Sequence, residues 1–330
     1  MANRGLTARG RWALTVLLAL GVGLAIAGCG GGEINKGEVT LKVPIDGPGS
    51  REGTPEKSIL SQIYAQALKA AGYRVQPVPT QNLSVKKLKA LQSEQLAGYA
   101  EYLSTALFYI FEVEIEELPA NPNSAYRKTK RDLEKIGLTA FPPTPFGIAN
   151  AVGMLRKTAE ERGLKTDSDL KGKAEKMTIK APTYCHTSLE CLGGIEWHYG
   201  TAFESVSYEE GGSYALWWVR PEPNFRYRVL ENGESDASML YTTDGRLAAE
   251  KNRFVALEDD RHAFPAGNVV WVTSPDVVDE AGPDYEKAIA RAQKGLTLET
   301  MRELNAEVEL EGKPAAKVAA AYLKSIGFGP

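Results

Sequence analysis

The sequence predicts an α/β protein. Three observations carry that expectation: an alternating strand pattern at residues 39–45, a capped amphipathic helix behind it, and a second strand–helix pair leading to a third strand before residue 103. Strand, helix, strand, helix, strand is the pattern of a parallel α/β arrangement, whose ligands bind beyond the carboxyl ends of the strands.

Val39-Thr40-Leu41-Lys42-Val43-Pro44-Ile45 alternates as a half-buried strand should. A glycine-rich loop, Asp46 to Gly53, leads to Thr54-Pro55-Glu56, which supplies an N-cap, a proline at the first helical position and an acid in the first turn. Ile59, Leu60, Ile63, Tyr64, Ala67 and Leu68 then recur at helical spacing until Gly72 stops the helix. Tyr73 to Val78 reads as the second strand, Ser84 to Leu96 as the second helix and Ala97 to Tyr102 as the third strand. The region 121–147 is marked by Pro122, Pro142, Pro143 and Pro145 and suits a crossover between domains. A second mixed segment follows over 148–245. The chain ends in helices at Pro283–Lys294, Leu298–Ala306 and Pro314–Ser325, the last placing Val318, Tyr322, Leu323 and Ile326 on one core-facing stripe.

The first residues are a leader. Arg4, Arg9 and Arg11 precede an apolar run from Trp12 to Ala27, about 16 residues, too short to span a ~30 Å hydrocarbon core comfortably. A basic start, a short apolar stretch and small residues before a cut site describe a secretory signal peptide over residues 1–28. Ile26-Ala27-Gly28-Cys29 resembles the lipobox of bacterial lipoproteins, which implies that Cys29 is the lipidated first residue of the mature chain. Gly30-Gly31-Gly32 serves as a flexible tether, so residues 29–37 form the anchor. Acyl chains buried at roughly 0.8 kcal/mol per CH₂ hold such a protein on the extracytoplasmic face of the cell membrane.

The mature chain, about 300 residues, has room for two ordinary domains. Losing the three leader arginines moves the formal charge from −3 to about −6. A mildly acidic export with no basic cluster is a poor nucleic-acid binder, so no nucleic-acid partner is expected. Cys185 and Cys191 lie outside the reducing cytoplasm, so a disulfide between them is the default reading.

Several pieces fall in a recognisable order. Gly49-Ser50-Arg51 opens the first helix, which runs into Tyr64-Ala65-Gln66-Ala67-Leu68 and Gly72-Tyr73. Glu101-Tyr102 with Thr105-Ala106-Leu107, Gly163-Leu164-Lys165-Thr166 with Asp169-Leu170, and Tyr199-Gly200 come next. Tyr241-Thr242-Thr243-Asp244-Gly245-Arg246, Leu257-Glu258-Asp259-Asp260 before Phe264-Pro265, and Leu304-Asn305 complete the series. In this succession the chain resembles the substrate-binding lipoproteins of ABC importers for glycine betaine, choline, carnitine and proline. The resemblance implies two α/β lobes with mixed or parallel sheets, joined by a two-stranded hinge and closing on ligand like a clamshell. Lobe I would hold residues 38–146 and 247–330, and lobe II residues 147–246. It also implies a monomeric receptor with no catalytic residue, metal or cofactor, working with an ABC permease and its ATPase subunits. Tethering answers the transport problem, because an anchored receptor stays at high effective concentration beside its permease.

A quaternary ammonium is held by aromatic faces, each worth about 0.5–2 kcal/mol, and its carboxylate by cationic or N–H donors. The resemblance points to Ser50 and Arg51 in the loop before the first helix, Tyr102 and Thr105 in the family's Glu-Tyr-Thr-Gly-Thr pattern, and Tyr241 before Thr-Thr-Asp-Gly. Part of the family's site is changed. Ala97 stands in place of an aspartate, Ala151 in place of a hinge tyrosine, and Gly267 near the place of an aromatic. The segment Tyr184 to Cys191 lacks the family's carboxylate-binding arginine. Tyr184, Tyr199, Tyr214, Trp217 and Trp218 are the aromatics available as replacements, with Tyr184 and Tyr199 taken into the candidate ligand set.

Other readings are open at this level. Cys185-His186 with His198 suggests a thiol enzyme, and the same residues with Cys191 a zinc site, though the spacing fits no standard pattern. Gly47-x-Gly49-x-x-x-Gly53 has one residue too many for a dinucleotide loop. A clamshell lipoprotein binding a different solute, or sensing without transport, keeps the same fold.

Overall fold

The computed structural model describes residues 35–45, 54–79, 84–186, 188–208 and 225–328; the leader, Cys29, Ser50, Arg51, Tyr214, Trp217 and Trp218 lie outside the described residues, as do the side chains of Tyr184 and His186. Ten strands are described, in chain order: β1 (Thr40–Ile45), β2 (Arg74–Pro79), β3 (Gly98–Tyr102), β4 (Thr139–Ala140), β5 (Asn150–Leu155), β6 (Thr178–Ala181), β7 (Ser205–Tyr208), β8 (Ala237–Tyr241), β9 (Phe254–Ala256) and β10 (Val269–Thr273).

The first helix forms where its end signals place it, over Pro55–Ala70, with the Thr54 side chain accepting from the Lys57 N–H. Gly72 follows at φ 99°, a left-handed turn that a side chain would strain. The second helix stops at Gln92 instead of Leu96. β1 and β2 run parallel, Thr40 opposite Arg74, as the strand–helix–strand reading requires. The third strand departs from it. β3 pairs antiparallel with β10, and the residue just before it, Ala97, donates its N–H to the Lys42 carbonyl of β1 at 2.8 Å. The five residues of β10 are all buried, so this late strand fits the middle of the β3–β10–β4 sheet. Around it Trp271 donates from Nε1 to the Tyr285 hydroxyl at 2.7 Å and covers Gly98, where a Cβ would lie 2.4 Å from that nitrogen.

The second sheet has the order β7–β6–β8–β5–β9, parallel across β7–β6–β8 and antiparallel from β8 to β9. It takes in residues past 246, the last residue expected in the second lobe, because Phe254–Ala256 pair with β5 and Leu257, Ala263 and Phe264 pack in the same core. The proline-marked region is partly helical: Asn121 caps a helix over Pro122–Glu134, and only the stretch after β4 crosses. There two extended segments meet, Gly147 bridging Asn268 and Ile148 donating to the Gly267 carbonyl at 3.1 Å. Asn268 Nδ2 donates to the Thr144 carbonyl at 3.0 Å, pinning one segment to the other. The helices over Pro283–Lys294, Leu298–Glu309 and Ala315–Ser325 close the first lobe, with Val318, Tyr322 and Leu323 in its core and Ile326 packed against it.

Candidate functional site

β3 ends at Tyr102, whose side chain is turned into the protein. Its hydroxyl donates to Glu56 Oε1 at 2.6 Å, and Glu56 sits in the first turn of the Pro55–Ala70 helix. Asn305, from the Leu298–Glu309 helix, donates from Nδ2 to Glu56 Oε2 at 3.1 Å and to the Thr243 carbonyl at 2.8 Å. Burial pushes the Glu56 carboxyl above its usual range despite the hydrogen bonds it accepts. Burial, together with Glu56, pushes the Tyr102 hydroxyl up as well.

β8 ends at Tyr241, opposite Asn150 of β5. The loop after it turns back on the Asp244 carboxylate, which accepts from the Tyr241 N–H at 3.1 Å and the Tyr227 hydroxyl at 3.0 Å. Thr242 holds this loop to the crossing segment: its Oγ1 accepts from Ala149 N–H at 3.0 Å and donates to the Gly147 carbonyl at 3.2 Å. Arg302 donates from Nε to the Thr242 carbonyl at 2.6 Å. The loop is therefore bonded on one side to Tyr241 and Tyr227, through Asp244, and on the other to the Leu298–Glu309 helix, through Arg302 and Asn305.

Of the expected ligand residues, Tyr102 is anchored at the end of β3 by Glu56, and Tyr241 stands at the end of β8, where its backbone N–H donates to Asp244. Thr105 lies half-buried in the turn after β3, followed by a π-helical stretch, Ala106–Ile110, a rare geometry frequent at functional sites. Tyr199 is placed differently. It is 2 % exposed in the second core, and its hydroxyl is bound to the Asp259 carboxylate and accepts from Arg261 N–H. Those partners make it a brace of the second lobe and leave no free hydroxyl for a ligand. Cys185 and Cys191 are joined as a disulfide, which withdraws both sulfurs from nucleophilic or zinc chemistry. Among the described residues no cluster of three or more His, Cys, Asp or Glu could hold a metal ion. No helix among them is long and apolar enough to cross a membrane.

Two features were hidden from the sequence. Glu56 reads as an ordinary first-turn acid, and only its burial shows that it is a hub. Lys57 Nζ stands 5.8 Å over the Tyr102 ring and the Arg226 guanidinium 4.8 Å over the Tyr241 ring, so a cation of the protein lies over one side of each ring. A cavity of about 20 Å³ beside Tyr102, lined among others by Lys57, Glu101 and Trp271, has room for about one water and not for a solute.

The family model for the substrate-binding domain of the ABC-type glycine betaine transport system, OpuAC, matches residues 49–325. The chain belongs to this family. Among curated relatives it is 29 % identical over 278 residues to a glycine-betaine-binding protein of Pseudomonas aeruginosa, covering 82 % of this chain and 84 % of the relative. It is 26 % identical to the glycine betaine-binding protein YehZ of Escherichia coli over 83 % of this chain and 88 % of that one. Among solved structures, a glycine betaine/carnitine/choline ABC transporter protein superposes with a TM-score of 0.74 at 21 % identity, over 87 % of this chain and 99 % of that one. Apo YehZ superposes at 0.69 and 24 % identity, over 88 % and 99 %. The fold is thus the two-lobed clamshell of periplasmic binding proteins, and the protein is a solute-binding receptor of the ABC-transport type. Its family consists of receptors and not of enzymes.

Proposed function

We propose that the protein catches a small zwitterionic or quaternary-ammonium solute, of the glycine betaine, choline, carnitine or proline class, between its lobes and delivers it to an ABC permease served by ATPase subunits. The observation that carries this reading is the family match from residue 49 to 325. The placement of Tyr102 at the end of β3 and Tyr241 at the end of β8 supports it, because each of the two sheets then contributes an aromatic at a strand end. Thr105, Ser50 and Arg51 complete the ligand set in this reading, with Tyr184 beside the disulfide. Catalysis has no part in it. The lobes are residues 38–146 with the chain after the return crossing, and the intervening segment. Lipid on Cys29 holds the receptor, a monomer, on the outer face of the cell membrane beside its permease.

The deciding experiment is calorimetric titration of residues 30–330 with glycine betaine, choline, carnitine and proline, after a thermal-shift screen in which ligand at 100 times its Kd adds about 2.7 kcal/mol. Saturable binding that Tyr102→Ala abolishes supports the reading. Silence from all four in a folded protein removes this solute class and leaves the receptor fold with another solute.

A further inference from the structure

Glu56 has more partners than a helix-capping acid needs. It is 4 % exposed, and a carboxylate buried so deeply is tolerated only when its oxygens are satisfied. Its partners come from two distant parts of the chain, the Tyr102 hydroxyl on β3 and Asn305 Nδ2 on the Leu298–Glu309 helix, and Asn305 in turn donates to the Thr243 carbonyl in the loop after β8. Helix geometry holds the acid in place, since Thr54 caps the helix and Pro55 fixes the first turn. The loop opposite is equally fixed. Gly245 lies so flat on the Leu298–Glu309 helix that a Cβ there would come within 2.5 Å of the Ala306 nitrogen.

We propose that Glu56 is a positioning residue of the binding site: its Oε1 fixes the direction of the Tyr102 ring, and its Oε2, through Asn305, ties that ring to the Thr243 loop of the second sheet. The proposal rests on the reading that Tyr102 faces the solute. A tyrosine at a strand end keeps rotamer freedom unless its far end is anchored, and the hydroxyl bond to Glu56 supplies that anchor. A glutamine at 56 cannot replace the acid. Its amide has one acceptor oxygen for two donors, and its NH₂ would face the NH₂ of Asn305. The aromatic contact and the loop would then loosen together.

The test uses residues 30–330 with tyrosine ¹³C-labelled at Cζ, the Tyr102 resonance being assigned by its loss in Tyr102→Phe. Glu56→Gln is expected to move that resonance without ligand present, and Asn305→Ala to move it in the same direction. Glycine betaine is titrated into the same proteins. Tyr102→Phe and Glu56→Gln are each expected to weaken binding about tenfold, and the double variant by about the same factor as either single one, since both remove one anchored ring. Glu56→Asp, which keeps the charge and withdraws the oxygens by one methylene, gives the second variant should the glutamine protein not fold. An unmoved Tyr102 resonance overturns the proposal, and so do losses that multiply in the double variant. Should the wild type bind choline, carnitine or proline instead, that solute is titrated; should it bind none of the four, the solute reading fails, and the ligand-free resonance still decides whether Glu56 fixes the Tyr102 ring.

Discussion

Gly267 and Ile148 lie backbone to backbone where the chain crosses between the lobes, so close that a Cβ on Gly267 would sit 2.0 Å from the Ile148 carbonyl oxygen. The obstacle is main chain and cannot swing aside. Gly267→Ala should therefore cost about 1–3 kcal/mol by overpacking, read as a lower urea midpoint. Gly37→Ala, where the nearest atom is a side-chain oxygen at 3.5 Å, should change little and serves as the control. An equal loss in both variants would remove the special role of this contact. The same geometry explains why no aromatic stands at 267.

The second prediction concerns pH. Asp167 is fully buried with neither carboxylate oxygen hydrogen-bonded to the protein, and burial, together with Asp259 and Asp260, pushes it up to about 8. In the unfolded chain the same group ionises near 3.8. Between those values the folded protein holds a proton that the unfolded chain has lost, so rising pH costs stability across that window, and the cost levels off above about 8. The slope is at most about 1.4 kcal/mol per pH unit. Asp167→Asn should flatten it, as urea midpoints at pH 5 and pH 8 would show; an unchanged slope would mean that Asp167 ionises freely in the fold.

The Cys185–Cys191 disulfide closes a loop with a sequence separation of 6. Chain-entropy reasoning assigns such a short loop about 2 kcal/mol. Reduction, or the Cys185→Ser/Cys191→Ser pair, should lower the unfolding free energy by about 2 kcal/mol, seen as a lower urea midpoint. A protein whose stability ignores reductant would show that the bridge contributes no stability.

Lys57 over Tyr102 and Arg226 over Tyr241 bear on solute choice. A solute carrying only positive charge meets like charge at both rings, whereas a zwitterion brings a carboxylate that those cations attract. Glycine betaine is thus expected to bind more tightly than choline, and Arg226→Gln to narrow the difference several-fold, by calorimetry. Tighter choline binding in the wild type would reverse the argument.

The sequence by itself determined the local elements. Thr54-Pro55-Glu56 and Gly72 set the ends of the first helix, the alternation at 39–45 set β1, and the order of short motifs identified the fold, because capping, turn conformation and strand periodicity depend on neighbours along the chain. It also named Tyr102 and Tyr241, through motifs that span only a few residues. Tertiary structure alone decided the rest. Nothing near Val269–Thr273 in sequence shows that this strand inserts beside β3 and turns its pairing antiparallel, or that Phe254–Ala256 return to the second sheet. Tyr199 looked as available as Tyr241 until Asp259, far along the chain, took its hydroxyl. Glu56 became a hub only because Tyr102 and Asn305 converge on it, and Asn305 reaches on to Thr243. Burial and hydrogen bonding are properties of neighbours in space, and those neighbours exist only once the chain has folded.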